Sequence, residues 1–487
     1  MLSYLPFLLG VAAAGATVFV AGGHVARLAW RLGLIDRPKL RGVHAEPVPR
    51  SGGLSIALAL TVSLLVQMIA ARALGVHDSY LRDVDHLYLL LPAFLILGLG
   101  IVDDVRPLGA RVKLMVQAAC AVTAWFLGFR VEALALPMLG GYELGLLSLP
   151  LTVLLLVAVT NAFNLVDGID GLAAGTGVIA LAGIGVFTLL GGEVQLAFAL
   201  PLAAAAVSFL RFNLGKPKAF LGDSGSMLLG FLIGTLSLRA LTVDGSGAAP
   251  GGLNVLALFL LLSLPLVDLC FVVARRMIQG VNPMRADRGH LHHIAQLIHG
   301  GSSRRALTTL LSMAAISALG ALWIGYEPAL AGLLGALPLG LYAGVYIAGG
   351  YLSPRALWNS AEAGRLAREL AAETEAHGAH RILHAAKLEA LLRVSGIRAL
   401  ALLADDGVRV WSAGVPDASR DALVQHLYAA GRVRAGRLLI QGDGRATRMA
   451  FAAHLLLPLY PAFMDLLEPE VQRITASVKR GAGAARP

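Results

Sequence analysis

Eleven stretches of this chain are apolar over about the length that a bilayer demands, roughly 18–22 residues for a helix. They fall near 3–23, 53–71, 87–102, 113–129, 144–162, 172–190, 193–210, 225–243, 253–274, 306–324 and 328–350. A backbone crossing lipid must satisfy its own hydrogen bonds, and helices of this length do so. The expected fold is therefore an all-α polytopic membrane protein with about eleven transmembrane helices. Composition agrees: charged residues make up 14% and mean hydropathy is +0.73, whereas soluble domains carry about 25% charged residues. The first basic side chain, Arg27, follows the first apolar run, so Pro6–Gly22 reads as a retained span and not as a cleaved leader. The two cysteines, Cys120 and Cys270, lie inside apolar spans, which excludes a disulfide framework and a thiolate metal site. Gly191-Gly192 marks a tight reversal between two spans.

Eleven spans put the termini on opposite sides, and lysine plus arginine choose the sides. With the loop after the first span inside, the inside loops hold eighteen basic residues and the outside loops four, Arg72, Arg82, Arg130 and Arg239. That asymmetry places the N-terminus outside and the C-terminus in the cytoplasm. The net charge of +10 thus follows membrane topology and does not call for nucleic acid. Residues 1–352 form the membrane domain. Residues 353–487 hold eighteen Lys/Arg and thirteen Asp/Glu with no spanning run, and read as a cytoplasmic α+β accessory domain. Within it, Ala361–Val394 is expected to be helical, Ile397–Leu403 and Val408–Ala413 to form a hairpin around Asp405-Asp406-Gly407, and Asp417–Ala430 to be helical. Arg437–Gln441 and Met449–Leu457 are expected to be strands. The domain is a candidate for regulation, oligomerisation or recruitment of a partner enzyme.

Every polar cluster of the membrane half falls on the inner face. The clusters are Asp36–His44 with Pro47, Pro49, Arg50 and Gly52-Gly53; Asp103-Asp104 with Lys113; Asn161–Leu172; Phe220–Ser226; and Pro283–His293. Adjacent carboxylates at a helix C-terminus oppose the helix dipole and need a cation. Lys113 could simply snorkel to the interface. Asp170 reads as an N-cap, and Gly222–Gly225 as a turn and cap whose free N–H groups also suit an anion. His290, His292 and His293 lack the thiolate or carboxylate partners of a zinc site, and suit phosphate better beside Arg285 and Arg288. Asp268 is an intramembrane carboxylate with Arg275 and Arg276 a short way along the chain. Oxygen donors without thiolates select magnesium, or manganese. Cations around such a metal point to a polyphosphate, and phosphoryl transfer needs little more than positioning and charge.

These five clusters, in this order over residues 30–300, resemble the polyprenyl-phosphate N-acetylhexosamine-1-phosphate transferases, relatives of the phospho-N-acetylmuramoyl-pentapeptide translocase. The resemblance implies a magnesium-dependent enzyme that moves a sugar 1-phosphate from a UDP-sugar to undecaprenyl phosphate, releases UMP and starts an envelope glycan such as lipopolysaccharide or exopolysaccharide. It implies a catalytic set of Asp103, Asp104, Asp167 and His290, with Asp103 or Asp104 acting on the lipid phosphate. Asp223 would ligate the metal, with Asn164 a neutral oxygen ligand. Lys113, Asn161, Asn164, Asp170, Arg285, Arg288, His292 and His293 would bind substrate. The Ala286-Asp-Arg-Gly-His-Leu-His-His293 form resembles the N-acetylglucosamine branch more than the muramoyl-pentapeptide branch, whose histidines run together; Met284 replaces an expected aromatic residue. A UDP-MurNAc-pentapeptide translocase and a lipid-linked sugar transporter are the alternatives. A transporter would carry charges at midplane. A homodimer is compatible with the resemblance, without a motif to support it.

Overall fold

The computed structural model describes residues 4–37, 46–76, 84–136, 140–191, 196–243, 252–278, 289–324 and 331–348, and, beyond these, 365–366, 369–370, 388, 391–392, 397–404, 409–413, 423–428 and 434–442. The chain divides into two compact units. The first comprises Met1–Pro38, Gly42–Cys270 and Ser302–Tyr342; the second comprises Lys39–Arg41, Phe271–Gly301 and Ala343–Pro487.

The first unit is built from helices α1 (Leu5–Arg31), α2 (Gly52–Ala73), α3 (Leu90–Val105), α4 (Ala110–Phe126), α5 (Ser148–Val166), α6 (Leu172–Gly191), α7 (Leu196–Asn213), α8 (Gly222–Ala240), α9 (Val255–Leu261), the first half of α10 (Ser263–Ile278), and α12 (Ser303–Ile324), followed by most of α13 (Ala331–Ala348). Short strands β1 (Ile35–Asp36) and β2 (Val48–Pro49) pair antiparallel between α1 and α2. The described residues of the expected apolar windows are largely helical. Among the described residues, six helical segments are long and apolar enough to cross a bilayer, or seven with the bent pair α9–α10. The protein is a multi-pass membrane protein.

Helix α8 is the axis of this unit. Gly222 and every residue from Ser224 to Leu238 are buried, against α2, α3, α5 and α6. Gly222, Gly225, Gly230 and Gly234, with Ser224, Ser226 and Ser237, give it a slim surface that neighbouring helices can approach closely. Small residues do this work in lipid, where apolar surface alone does not drive helices together.

Three expectations are corrected. The ninth window is not one straight helix: α9 and α10 meet at a 92° bend. Pro265 explains the break, since its ring would strike the carbonyl of Leu261, four residues back, where α9 ends. The membrane half is also not all-α. Strands β3 (Ala133–Leu136), β4 (Gly140–Glu143), β5 (Thr242–Val243) and β6 (Gly252–Asn254) join two loops into a sheet of order β4-β3-β6-β5, with β3 and β6 parallel. Finally, Asp417–Ala430, expected to be helical, contains strand β9 (Leu423–Tyr428).

The second unit holds the end of α10, helix α11 (Leu291–Ile298), and strands β7 (Ile397–Ala404), β8 (Arg409–Ala413), β9 and β10 (Arg434–Gly442). They form an antiparallel sheet of order β8-β7-β10-β9. The expected β7–β8 hairpin and the β10 strand are present, and the described residues between 365 and 392 are helical. Asp405-Asp406-Gly407, Met449–Leu457 and Gly192 lie outside the described residues.

Candidate active site

The site is assembled on the first turn of α8. The chain entering α2 runs alongside the residues preceding α8: Phe220 N–H donates to the Pro49 carbonyl at 2.9 Å, and Gly52 N–H to the Phe220 carbonyl at 3.0 Å. Arg50 N–H donates to the Leu34 carbonyl at 2.8 Å, so its backbone is fixed on both sides. A Cβ on Gly53 would come within 2.7 Å of the Ser224 backbone, and one on Gly100 would meet Ser224 more closely still. Only glycine at these positions lets α2 and α3 grip α8 backbone to backbone.

Asp104, at the end of α3, fills the N-terminus of α8. Its Oδ1 accepts from Asp223 N–H at 3.0 Å, and its Oδ2 from Ser224 N–H at 3.1 Å. Two of the free N–H groups that the sequence leaves open to a phosphate are thus taken by an internal carboxylate, the natural partner of a positive helix end. Arg50 Nη1 donates to the same Oδ1 at 3.0 Å, and Arg50 Nη2 to Asp36 Oδ1. The Asp104 side chain is wholly buried and fully engaged.

Asp103 is tied differently. Oδ1 accepts from Leu108 N–H at 2.6 Å and Oδ2 from Lys113 Nζ at 2.7 Å, so Lys113 is an ion-pair partner and not a loose interfacial lysine. The Asp103 and Asp223 carboxyls also lie within hydrogen-bond reach of each other. Two carboxyls that close require a shared proton or a cation. Asp223 Oδ1 accepts from Asn164 Nδ2 at 2.7 Å, and the same amide donates to Ser226 Oγ at 3.0 Å. Asn164 therefore meets Asp223 through its nitrogen.

The loop from α5 to α6 closes the site. Gly171, with φ of +83°, turns its N–H onto Asn213 Oδ1 at 2.6 Å, while Asn213 Nδ2 donates to the Ala219 carbonyl at 3.0 Å. Asn213 is buried and clamps this loop to the approach to α8. Between them lies a cavity of about 290 Å³ lined by Asp36, Arg50, Asp167, Asp170, Asn213 and Asp223, with Phe220 and Ser303. Four carboxylates line it, and among the described residues Arg50 is the one basic side chain that does. Asp167 keeps part of its surface open to the cavity. Even so, burial first, then the charges of Asp223, Asp104 and Asp170, against the opposing pull of Arg50, push its carboxyl up to about 8. Asn161, expected on substrate, instead turns to α4: its Nδ2 donates to Gln117 Oε1 at 2.6 Å and to the Val157 carbonyl at 2.8 Å.

Glycosyl transferase family 4 matches residues 86–241, the segment carrying Asp103, Asp104, Asn164, Asp167 and Asp223. A probable undecaprenyl-phosphate N-acetylglucosaminyl 1-phosphate transferase of Bacillus subtilis is 35% identical over 291 residues, 59% of this chain and 76% of the relative. The chain belongs to the polyprenyl-phosphate N-acetylglucosamine-1-phosphate transferases. A decaprenyl-phosphate N-acetylglucosaminephosphotransferase of Mycolicibacterium smegmatis is 34% identical over 334 residues, 64% of this chain and 80% of that one. The undecaprenyl-phosphate alpha-N-acetylglucosaminyl 1-phosphate transferase of Escherichia coli K12 is 29% identical over 296 residues, 59% and 76% of the two chains.

In this transferase the histidine motif belongs to the second unit. His290 and His292 stack with centroids 5.7 Å apart, and His293 lies 4.2 Å from His292. His292 is buried, and burial, then His293 and His290, hold its imidazole well below the usual range; it is neutral at pH 7. Gly289 lies directly against the buried Arg275 guanidinium, leaving no room for a side chain. Arg285 and Arg288 lie outside the described residues. The sequence singled out the segment holding Asp36 and Arg50 without assigning either a role, and it missed Asn213 and Gln117. Arg50, between Pro49 and the Gly52-Gly53 pair, carried a signal; Asn213 and Gln117 carried none beyond a polar residue at or within an apolar run.

Proposed function

We propose that this transferase moves N-acetylglucosamine 1-phosphate from UDP-N-acetylglucosamine to undecaprenyl phosphate at the cytoplasmic face of the inner membrane. One observation carries the reading: the cavity at α8 is lined by four carboxylates and one arginine, with Asp103 and Asp223 close enough to need a cation. A cavity so negative repels a diphosphate unless a metal enters with it. The donors fit magnesium. They are oxygens, and among the described residues no three His, Cys, Asp or Glu side chains form a ready-made metal shell. Magnesium commonly takes one or two carboxylates and completes its shell with water and substrate phosphates. Asp223 would be its principal ligand, with Asp103 beside it. When bound, the ion would screen the donor diphosphate and stabilise charge on the departing UMP.

An oxygen of the lipid phosphate forms a bond to the phosphorus bearing the sugar, and the bond from that phosphorus to the bridging oxygen breaks, releasing UMP. A phosphate monoester is already largely ionised at pH 7, its second pKa being about 6, so the chain's task is positioning more than deprotonation. Asp167, Asp170 and Asn213 border the space for the donor. Lys113 holds Asp103, and Asn164 holds Asp223. Asp104, with both oxygens engaged by α8 and Arg50, fits an orienting role better than that of a base. His290, His292 and His293, with Arg285 and Arg288, would contact phosphates. The same reading takes in eleven spans, an outside N-terminus, a membrane domain over 1–352 and a cytoplasmic accessory domain over 353–487; the distribution of basic residues supports it.

The test incubates purified full-length protein with undecaprenyl phosphate, magnesium and a panel of UDP-sugars, and reads UMP. UMP should appear with UDP-N-acetylglucosamine and depend on magnesium and lipid. A folded protein that releases no UMP with any UDP-sugar would overturn the proposal.

A further inference from the structure

We propose that Arg50 and Asp36 are positioning residues that set the direction of α8, and with it Asp223, through Asp104; this rests on the transferase reading above. Three carboxylate and guanidinium groups form one chain. Asp36 Oδ1 accepts from Arg50 Nη2, and Arg50 Nη1 donates to Asp104 Oδ1, which also accepts the N–H of Asp223 itself. The chain runs from two partly exposed groups to a wholly buried one: side-chain exposure is 18% at Asp36, 23% at Arg50 and 0% at Asp104. Arg50 sets a positive charge against the wholly buried Asp104 carboxylate, next to Asp223. Asp36 fixes the other arm of the guanidinium, keeping the fork aimed at Asp104 and away from the anionic ligand of the cavity it lines.

The backbone supports the same assignment. Arg50 is held at its own N–H by Leu34, while its neighbours Pro49 and Gly52 bond Phe220, two residues before α8 begins. Side chain and main chain thus fix α8 from one segment. Gly222, the first residue of α8, has φ of +74°, and a Cβ there would press on the Asp104 carboxylate and on Arg50. The junction has been left without a side chain so that the two charges can meet beneath it. Partners that orient a metal ligand typically control affinity or activity by about 10–100-fold.

The experiment compares Arg50→Ala, Arg50→Lys, Asp36→Asn and the double variant Asp36→Asn/Arg50→Ala in the full-length protein. It reads kcat and KM for UDP-N-acetylglucosamine, and magnesium binding by calorimetry. Arg50→Ala should lower kcat and weaken magnesium binding by about 10–100-fold, with KM changed by less than about three-fold, since neither residue is asked to hold the donor. Arg50→Lys, which keeps the charge but not the fork, should recover part of the loss. Asp36→Asn should cost about ten-fold, and the double variant should be no worse than Arg50→Ala, because both act through one chain. Asp36→Asn and Arg50→Ala with multiplying effects, or with unaltered kcat and magnesium binding, would overturn the proposal. Should Arg50→Ala fail to give monodisperse protein, Arg50→Lys and Asp36→Asn decide by the same readouts. A wild-type protein without UMP release would defeat the transferase reading alone, while calorimetry would still judge the chain from Asp36 to Asp223.

Discussion

Asp104 and Asp223 face each other across the start of α8, and their surroundings could hardly differ more. Asp104 receives two backbone N–H groups and an arginine, so all its charge is answered by protein. Asp223 receives one neutral amide, lies beside the Asp103 carboxyl and feels the charges of Asp104 and Asp167. A satisfied buried carboxylate holds structure in place; one crowded by others is destabilised until a cation arrives. Side by side, the same residue type serves as mortar in one place and as a receptor in the other.

The comparison breaks most sharply at Asp223. Asp223→Asn should cut kcat by at least about a thousand-fold, the scale of losing a group that stabilises transition-state charge, and should abolish the magnesium dependence of UDP binding. Asp104→Ala should weaken magnesium binding and kcat by only about 10–100-fold and should also act on stability: stripping Arg50 and two α8 N–H groups of their acceptor should cost about 3 kcal/mol, read as a lowered unfolding midpoint in detergent. Near-equal effects of the two variants on both readouts would erase the distinction. A pH titration sharpens it. The metal-free protein keeps Asp167 protonated up to about 8, and a raised carboxyl gives up its proton as pH rises, so magnesium affinity should climb by up to about ten-fold per pH unit until that value is passed. Affinity flat between pH 6 and 8 would show that the Asp167 charge is not coupled to metal binding. A smaller effect belongs to the clamp: Asn213→Leu, which orphans Gly171 N–H and the Ala219 carbonyl, should cost about 2 kcal/mol and raise KM for the donor more than it lowers kcat.

How much of this could be read in the sequence depends on the distance over which each feature is encoded. The windows that become helices are local, since apolar length alone marks them. The bend at Leu262 has a local cause, Pro265, but a hydropathy window averages over it. The β3–β6 pairing joins Ala133 to Gly252, and strands of three or four residues carry no pattern that could announce such a partner. In β9, Leu423-Val-Gln-His-Leu-Tyr428 suits a helix face as well as an edge strand, and pairing along β10 decides it. The site follows the same rule. Asp103, Asp104, Asp167 and Asp223 stand out as charges at the ends of apolar runs. The service of Arg50 to Asp36 and Asp104 spans 14 and 54 positions, and Asn161 looks like a ligand residue until Gln117, 44 positions earlier, claims its amide.

The most direct measurement is magnesium calorimetry in the presence of UDP on wild type, Asp104→Asn and Asp223→Asn, each first checked for monodispersity. The wild type should bind, Asp104→Asn should bind more weakly, by about ten-fold, and Asp223→Asn should show no heat of metal binding. An Asp223→Asn protein that binds magnesium like the wild type would contradict the division of labour between the two aspartates.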